Sequence, residues 1–270
     1  MTPTLDGFAE QALAELEAGS RRRHTEPTAA LDGRRLARDG RTLLDFSSND
    51  YLGLRRDPEL REAAEGAVRR HGTGGGASRL ITGDHPEYPA LEAELAALKG
   101  TEAAVVFGSG YLANLGIIPA LVGRHDLILA DKLNHACLVD AARLSGARVL
   151  RYPHASPEAV RQRLDRYRGR YRHCLLVTDG VFSMDGDLAP LRALAEIAGE
   201  YDCWLMTDDA HGLGVVGEGA GSAAAVGLGP AAVPLQMGTL SKAAGGYGGY
   251  LCASRAVTEL LRTRARTFVY

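Results

Sequence analysis

The feature that most constrains the fold is a series of seven short apolar runs in the second part of the chain, most of them separated by segments of helix length. Each run is continuously apolar rather than alternating. This pattern is typical of strands buried on both faces of a largely parallel sheet covered by helices. Such sheets bind ligands at the carboxyl ends of their strands. The predicted strands are 104–107, 127–130, 147–151, 174–178, 203–207, 233–237 and 250–253.

The residues before this series have a different character. Residues 5–24 place apolar side chains at helical spacing and end in the basic cluster Arg21-Arg22-Arg23, which indicates an N-terminal arm. Residues 34–46 predict a hairpin around Asp39-Gly40. We therefore expect an arm and hairpin at 1–45 and one large ligand-binding α/β domain at 46–270. The Ala- and Gly-rich residues 218–230 predict a loop with a short helix.

Charge and cysteine usage exclude several classes of partner. Lys and Arg total 31 against 33 Asp and Glu, so no excess of positive charge favours nucleic acid or an anionic membrane surface. No apolar run is long enough to cross a membrane, and the acidic N-terminus does not resemble a signal peptide. The four cysteines lack C-x-x-C spacing, which favours buried thiols and a cytoplasmic protein without a metal centre.

Lys242 is the first candidate for chemistry. It follows an apolar run and precedes the glycine-rich segment 245–249. Burial at such a position would lower the pKa of the amine and leave it able to attack a carbonyl, as a Schiff-base lysine requires. A surface lysine in a glycine-rich loop is the alternative. A nucleotide phosphate loop is disfavoured because the glycines follow the lysine rather than precede it.

A second candidate group is Asp208-Asp209-Ala210-His211, which follows the run 203–207. A carboxylate at the end of a buried strand could keep a pyridine nitrogen protonated and so make that ring an electron sink. A metal site or a helix cap with a structural histidine remains open. No second histidine stands at ligand spacing, which places the metal site last.

Two further groups follow other strands. Ser109-Gly110-Tyr111 joins the run 104–107 to a helix at 112–121 and would expose backbone N–H groups to an anion such as phosphate. A tight turn that needs glycine is the alternative. His135 opens another helix, where an imidazole could stack on a flat ring or be structural. An anion site, a stacking group, a carboxylate and an amine at successive strand ends form one consistent site.

Taken together, these motifs resemble the α-oxoamine synthases, a branch of the fold-type I enzymes that use pyridoxal 5′-phosphate (PLP). The similarity extends over nearly the whole chain. The segments that carry it are 47–54 (SSNDYLGL), 74–79 (GGGASR), 109–114 (SGYLAN), 134–136 (NHA), 179–187 (DGVFSMDGD), 208–212 (DDAHG) and 238–242 (GTLSK).

The resemblance implies a role for each matching residue. Lys242 would hold PLP as a Schiff base, Asp208 would pair with the pyridine nitrogen, and His135 would stack on the ring. The remaining cofactor contacts would come from Gly110, Tyr111, Ser183, His211 and Thr239. The substrate would contact Arg21, His135 and Asn49.

Within the family, segments 48–54 and 76–85 are similar to those of members that join L-alanine to a pimeloyl thioester, release carbon dioxide and act in biotin synthesis. Lys242 would be the general base, and the protein would be a homodimer. Members that take glycine and another acyl thioester remain an alternative. The family's pattern continues past Tyr270 into a C-terminal small domain, which we expect to be missing. An inactive fragment serving as an interaction partner is therefore a further alternative.

Overall fold

The computed structural model describes residues 4–270. They fall into two compact units, one ending at Ser48 and the other spanning Asn49–Tyr270. The domain boundary between residues 45 and 46 stays a prediction.

The first unit contains a helix and a small antiparallel sheet. The helix begins after Thr4, whose hydroxyl accepts a hydrogen bond from Gly7 N over 3.1 Å, and it ends at Ala18, so the basic cluster lies outside it. The expected hairpin is confirmed, because Asp39 and Gly40 both adopt positive φ (49° and 71°), as a two-residue turn between twisted strands requires. The elements are α1 Leu5–Ala18, β1 Ala29–Ala30, β2 Arg35–Arg38 and β3 Arg41–Leu44.

The second unit is built on a seven-stranded sheet, which confirms the predicted fold class. The strands are β4 Ala103–Phe107, β5 Leu127–Asp131, β6 Arg148–Tyr152, β7 Cys174–Asp179, β8 Trp204–Asp208, β9 Leu235–Thr239 and β10 Gly249–Ala253. Their order across the sheet is β4-β10-β9-β8-β7-β5-β6. The neighbours from β9 to β6 pair in parallel, whereas β10 runs antiparallel to both β4 and β9.

Helices cover both faces of this sheet, except α2, which buries none of its residues and lies against the short turn at Leu54–Arg56. The helices of the second unit are α2 Pro58–His71, α3 Glu87–Lys99, α4 Gly110–Leu121, α5 Ala136–Ser145, α6 Pro157–Tyr167, α7 Leu191–Glu200, α8 Ser222–Ala225, α9 Arg255–Arg264 and α10 Arg266–Val269. Short 3₁₀ turns lie at Leu54–Arg56, Arg168–Arg170 and Gly217–Gly219. The short helix expected within residues 218–230 is α8.

The core explains why the strands are continuously apolar. Ile128 packs into the cluster beneath α4 and α5, whereas its neighbours Leu127 and Leu129 pack into the cluster on the other face, with residues of α6 and α7. All three side chains have no solvent exposure. Burial of each side chain stabilises the fold by about 1.5–3 kcal/mol. A polar residue on either face of the strand would lose this free energy.

The parallel pairing sets where function can lie. The carboxyl ends of β5, β7, β8 and β9 lie side by side at one end of the sheet. Each of these strands ends in a polar residue: Asp131, Asp179, Asp208 and Thr239. Within residues 4–270, no helix combines the length and apolar character needed to cross a bilayer.

Candidate active site

A cleft of about 240 Å³ opens at this end of the sheet. It brings together seven of the residues predicted from the sequence: Gly110, Tyr111, His135, Asp208, His211, Thr239 and Lys242. Its other lining residues are Ser109, Cys137, Asp179, Ala210, Met237, Ser241 and Tyr247.

Lys242 enters the cleft from the loop after β9. Within this loop, Gly245 has φ +68° and packs closely against the backbone of Leu54. A Cβ at this position would lie 2.7 Å from the carbonyl carbon of Leu54, so only glycine fits there. The amine is half-buried, and this burial lowers its pKa, while the carboxylates of Asp208 and Asp179 act in the opposite direction. A larger fraction of neutral amine is thus available than on a surface lysine.

His211 lies beside that amine. Its Nε2 is 2.9 Å from Lys242 Nζ, and its Nδ1 is 2.7 Å from the hydroxyl of Tyr51. Burial, followed by the positive charges of Lys242 and His135, lowers the pKa of His211 to about 4. The imidazole is therefore neutral at physiological pH and can receive as well as give a hydrogen bond.

Asp208 is the last residue of β8 and is 3% exposed. Its Oδ2 accepts a hydrogen bond from Asn114 Nδ2 over 2.7 Å, and its Oδ1 accepts one from Ala210 N over 3.1 Å. Burial raises the pKa of this carboxyl, whereas these hydrogen bonds and the nearby charge of Lys242 oppose the rise. Among the ion pairs within residues 4–270, none involves Asp208, so its environment favours a cationic ligand.

Asp179 is a second buried carboxyl in the cleft, from the neighbouring strand β7. Burial, and then the charge of Asp208, raise its pKa to about 8. Its Oδ2 accepts a hydrogen bond from His135 N over 2.8 Å, which fixes the start of α5. Two adjacent carboxyls that resist ionisation together mark this strand edge as a functional site.

His135 is the N-cap of α5, as the sequence predicted. Its Nδ1 accepts a hydrogen bond from Cys137 N over 3.2 Å and lies 2.9 Å from the Cys137 thiol. The ring nitrogen Nδ1 is therefore engaged within the start of α5. Burial, and then the charge of Asp208, raise the pKa of Cys137 to about 12, so that its thiol stays neutral.

The opposite end of the cleft is suited to an anion. Ser109 caps α4, its hydroxyl accepting a hydrogen bond from Leu112 N over 3.2 Å, so the helix begins at Gly110 rather than at the predicted residue 112. A Cβ on Gly249 would lie 2.5 Å from Ser109 O, which explains the glycine there. The hydroxyls of Thr239 and Ser241 lie 2.8 Å apart beside this helix N-terminus.

Of the remaining predicted site residues, Tyr111 lines the cleft, whereas Ser183 and Asn49 do not. Tyr111 donates its hydroxyl hydrogen to Asp140. Ser183 is exposed to solvent. Asn49 Oδ1 accepts a hydrogen bond from Tyr51 over 3.1 Å, which links it to His211. Arg21 belongs to the first unit, and its contact with a substrate stays a prediction.

Sequence reasoning missed several residues that the fold brings to the site. Asn114, Asp179 and Tyr51 belong to the quoted motifs, but the residues alone gave no reason to assign them a role. Asn114 is fully buried on the inner face of α4. A polar residue in the otherwise apolar segment 112–121 was the signal that could have identified it, since a buried amide needs a partner.

A buried ion pair supports the loop after β8. Lys99 Nζ lies 2.7 Å from Asp209 Oδ2, and both side chains are almost completely buried. Ser222 N donates to both oxygens of the same carboxylate, over 3.1 and 3.0 Å. Asp209 is therefore structural, and it orients the segment that carries Asp208 and His211.

The cleft fits PLP. Lys242 would hold its aldehyde, Asp208, which is in no salt bridge within residues 4–270, would pair with a protonated ring nitrogen, and a helix N-terminus with two hydroxyls suits the phosphate. Within residues 4–270, no cluster of three or more His, Cys, Asp or Glu side chains is arranged as metal ligands.

Comparison with known proteins agrees with this geometry. The sequence pattern of the family described as aminotransferase class I and II matches residues 41–270. An 8-amino-7-oxononanoate synthase from Beijerinckia indica is 58% identical over 99% of this chain, which spans 69% of that protein.

Two solved structures show the same fold. A serine palmitoyltransferase from Sphingomonas wittichii superposes with a TM-score of 0.86 at 33% identity, over 97% of this chain and 65% of that one. An 8-amino-7-oxononanoate synthase from Francisella tularensis superposes with a TM-score of 0.71 at 32% identity, over 84% of this chain and 63% of that one. This chain thus spans about two thirds of the length of these proteins.

Fold and site together define a class, the PLP-dependent transferases of fold type I. Within that class, the chain belongs to the family of the 8-amino-7-oxononanoate synthases, which are α-oxoamine synthases. The family consists of PLP-dependent acyltransferases, so the predicted cofactor and enzyme class are confirmed at the level of the family.

Proposed function

We propose that this chain carries the catalytic site of an enzyme of biotin synthesis. The enzyme would condense L-alanine with a pimeloyl thioester, giving 8-amino-7-oxononanoate, carbon dioxide and the free thiol carrier. The observation that supports this most strongly is the convergence of Lys242, Asp208 and the N-terminus of α4 on one cleft, in a chain 58% identical to a protein named for that product.

The residues would hold the cofactor in the following way. Lys242 would bind the aldehyde carbon, Asp208 the ring nitrogen, and the start of α4 with Thr239 the phosphate. When bound, PLP supplies a protonated ring that accepts the electrons of a carbanion. The further cofactor contacts we propose are Gly110, Tyr111, His135 and His211, which line the cleft. A contact from Ser183, which lies outside the cleft, is proposed from the sequence resemblance alone.

Lys242 would also act as the general base. Its burial lowers its pKa, and His211 Nε2 lies 2.9 Å from its Nζ. A neutral amine at this position can take the α-proton of alanine and return it later. Asp208 would keep its negative charge beside the ring, which the pair of hydrogen bonds from Asn114 and Ala210 favours.

Three further proposals concern assembly, location and substrate contacts. Exposed apolar side chains on the second unit, among them Ile81 (75%) and Tyr247 (81%), support a homodimer. The four free cysteines support a cytoplasmic location. Arg21, Asn49 and His135 would contact the substrates.

The experiment is an assay of the chain with PLP, pimeloyl-CoA and a panel of L-alanine, glycine and L-serine, with mass detection of the amino ketone. We expect product with alanine, and loss of at least about a hundredfold in rate for Asp208→Asn, whose neutral amide cannot hold the ring protonated. Preference for glycine or serine, or a near-normal rate for Asp208→Asn, would contradict the proposal.

A further inference from the structure

Tyr51 makes the first link of a chain of hydrogen bonds that ends at Lys242. Its hydroxyl lies 3.1 Å from Asn49 Oδ1 and 2.7 Å from His211 Nδ1. The other nitrogen of that ring, Nε2, lies 2.9 Å from Lys242 Nζ. The side chains of Asn49, Tyr51, His211 and Lys242 are thus connected in series by hydrogen bonds.

Asn49 determines which group donates and which accepts in each of these hydrogen bonds. Asn49 Oδ1 is a carbonyl oxygen and can only accept, so the single hydrogen of the Tyr51 hydroxyl is donated to it. The same hydroxyl then receives a hydrogen bond from His211 at Nδ1. Since a neutral imidazole carries one hydrogen, Nε2 is left as an acceptor facing Lys242.

This direction suits the lysine in either protonation state. Both the ammonium and the neutral amine have an N–H to donate, so Nε2 holds Nζ in one place throughout a proton transfer. The opposite tautomer would present an N–H to the amine and would repel an ammonium. Because burial lowers the pKa of His211 to about 4, the ring stays neutral and the tautomer is the only variable.

We propose that Tyr51 is a positioning residue that fixes the tautomer of His211 and thereby aims the amine of Lys242. Tyr51 acts through His211, and the carbonyl oxygen of Asn49 sets the direction of the whole series of hydrogen bonds. The inference rests on the proposed function only in giving Lys242 its catalytic role. The arrangement itself involves residues of this chain alone and can be measured without turnover.

Four other titratable groups lie near Lys242 and His211. Lys242 is also faced by Asp208 and Asp179 from the sheet and by Cys137 from α5, and the His211 ring is faced by His135. These groups are the same in the parent and in the variants below. A change in the pH dependence of Lys242 can therefore be assigned to the hydrogen-bonded chain.

The test is ¹⁵N NMR of the imidazole nitrogens in the full 270-residue chain without PLP. In the parent, His211 should be protonated on Nδ1. Asn49→Ala frees the hydrogen of Tyr51 to be donated to Nδ1, so the ring should switch to the Nε2–H tautomer. Tyr51→Phe removes the acceptor at Nδ1, so the Nδ1–H tautomer should no longer dominate.

A second readout follows the amine itself. The pH dependence of the rate at which Lys242 combines with added PLP reports its pKa, which should fall by about one pH unit in both variants, since an acceptor for the ammonium is lost. Tyr171→Phe, which changes a tyrosine near the opposite edge of the sheet, is the matched control and should leave both readouts as in the parent.

The outcomes separate the two proposals. An Nε2–H tautomer in the parent, or an unchanged tautomer in both folded variants, would overturn the inference and leave the proposed function standing. If Tyr51→Phe does not fold, Asn49→Ala still decides the question. A parent with the expected tautomer but no turnover would instead count against the proposed function.

Discussion

Asn114 donates a hydrogen bond from Nδ2 to Asp208 Oδ2 over 2.7 Å, and solvent reaches almost none of either side chain. The amide therefore aims the carboxylate from the side away from the cleft and stabilises its charged form. The same Nδ2 lies 3.0 Å from the Cys137 thiol, so three elements meet behind the position proposed for the ring nitrogen.

Removing this donor should weaken cofactor binding. In Asn114→Leu the carboxyl of Asp208 loses its shortest hydrogen bond and its pKa rises further, so less of it is charged when PLP arrives. A hydrogen bond to a charged group is worth about 1.5–3 kcal/mol, which predicts a loss of at least about tenfold in affinity. Titration of the chain with PLP measures this.

The control for this variant is Ile117→Val, a substitution that loosens packing on the same helix without touching the carboxyl. It should lower the stability of the chain slightly and leave its affinity for PLP unchanged. Equal affinities for Asn114→Leu and the parent would show that the amide does not support Asp208.

The pKa of Asp179 predicts how stability depends on pH. Because burial and the charge of Asp208 raise that pKa from 3.8 to about 8, the folded chain keeps a proton that the unfolded chain releases. Without PLP, the free energy of unfolding should thus be highest below about pH 4 for this group and fall as pH rises through 8. The slope is at most about 1.4 kcal/mol per pH unit.

Asp179→Asn should flatten that profile, as measured by urea unfolding at a series of pH values. Asp185→Asn, on the exposed part of the following loop, is the control and should show the slope of the parent. A profile for Asp179→Asn as steep as that of the parent would mean that this carboxyl is not the titrating group.

The Lys99–Asp209 pair predicts a large loss of stability on disruption. Lys99→Met leaves a buried carboxylate without its cation, which costs about 3–5 kcal/mol. Denaturant unfolding measures the change. Arg161→Ala, which removes one member of an exposed pair with Glu200, is the comparison and should barely move the unfolding midpoint. A Lys99→Met variant as stable as the parent would refute the structural role of Asp209.

Gly249 should be essential for the anion end of the cleft. A Cβ there would lie 2.5 Å from Ser109 O and 2.6 Å from Gly110 N, so Gly249→Ala must displace the start of α4. We expect weaker binding of PLP and of inorganic phosphate, measured by calorimetry. Gly199→Ala, on α7 with open space around its Cβ position, should instead stabilise the chain by about 0.5–1 kcal/mol without changing either affinity.

Local sequence signals were sufficient for the sheet and for the residues at strand ends. Residues 127–130, the predicted strand that corresponds to β5, are all apolar because both faces of the sheet are buried. Asp208 is the polar residue at the carboxyl end of β8. Lys242 was identifiable because a strand precedes it and glycines follow. These signals are local, so periodicity and strand-end position carry them.

The supporting contacts could not be predicted in this way. Asn114 and Asp208 are 94 residues apart in sequence, and Lys99 and Asp209 are 110 apart. Tyr51 reaches His211 across 160 residues. Such pairs depend on the order of strands and on the packing of loops, which no pattern within a single segment encodes. The start of α4 at Gly110 likewise depends on the Ser109 cap.

We propose that Lys242 and the cleft around it form a working PLP site for L-alanine. The most direct test is the visible absorption spectrum of the chain with PLP, before and after addition of L-alanine, with Lys242→Ala as control. We expect a band that requires Lys242 and that shifts when alanine is added. A spectrum identical to that of free PLP, or a band that persists unchanged in Lys242→Ala, would contradict it.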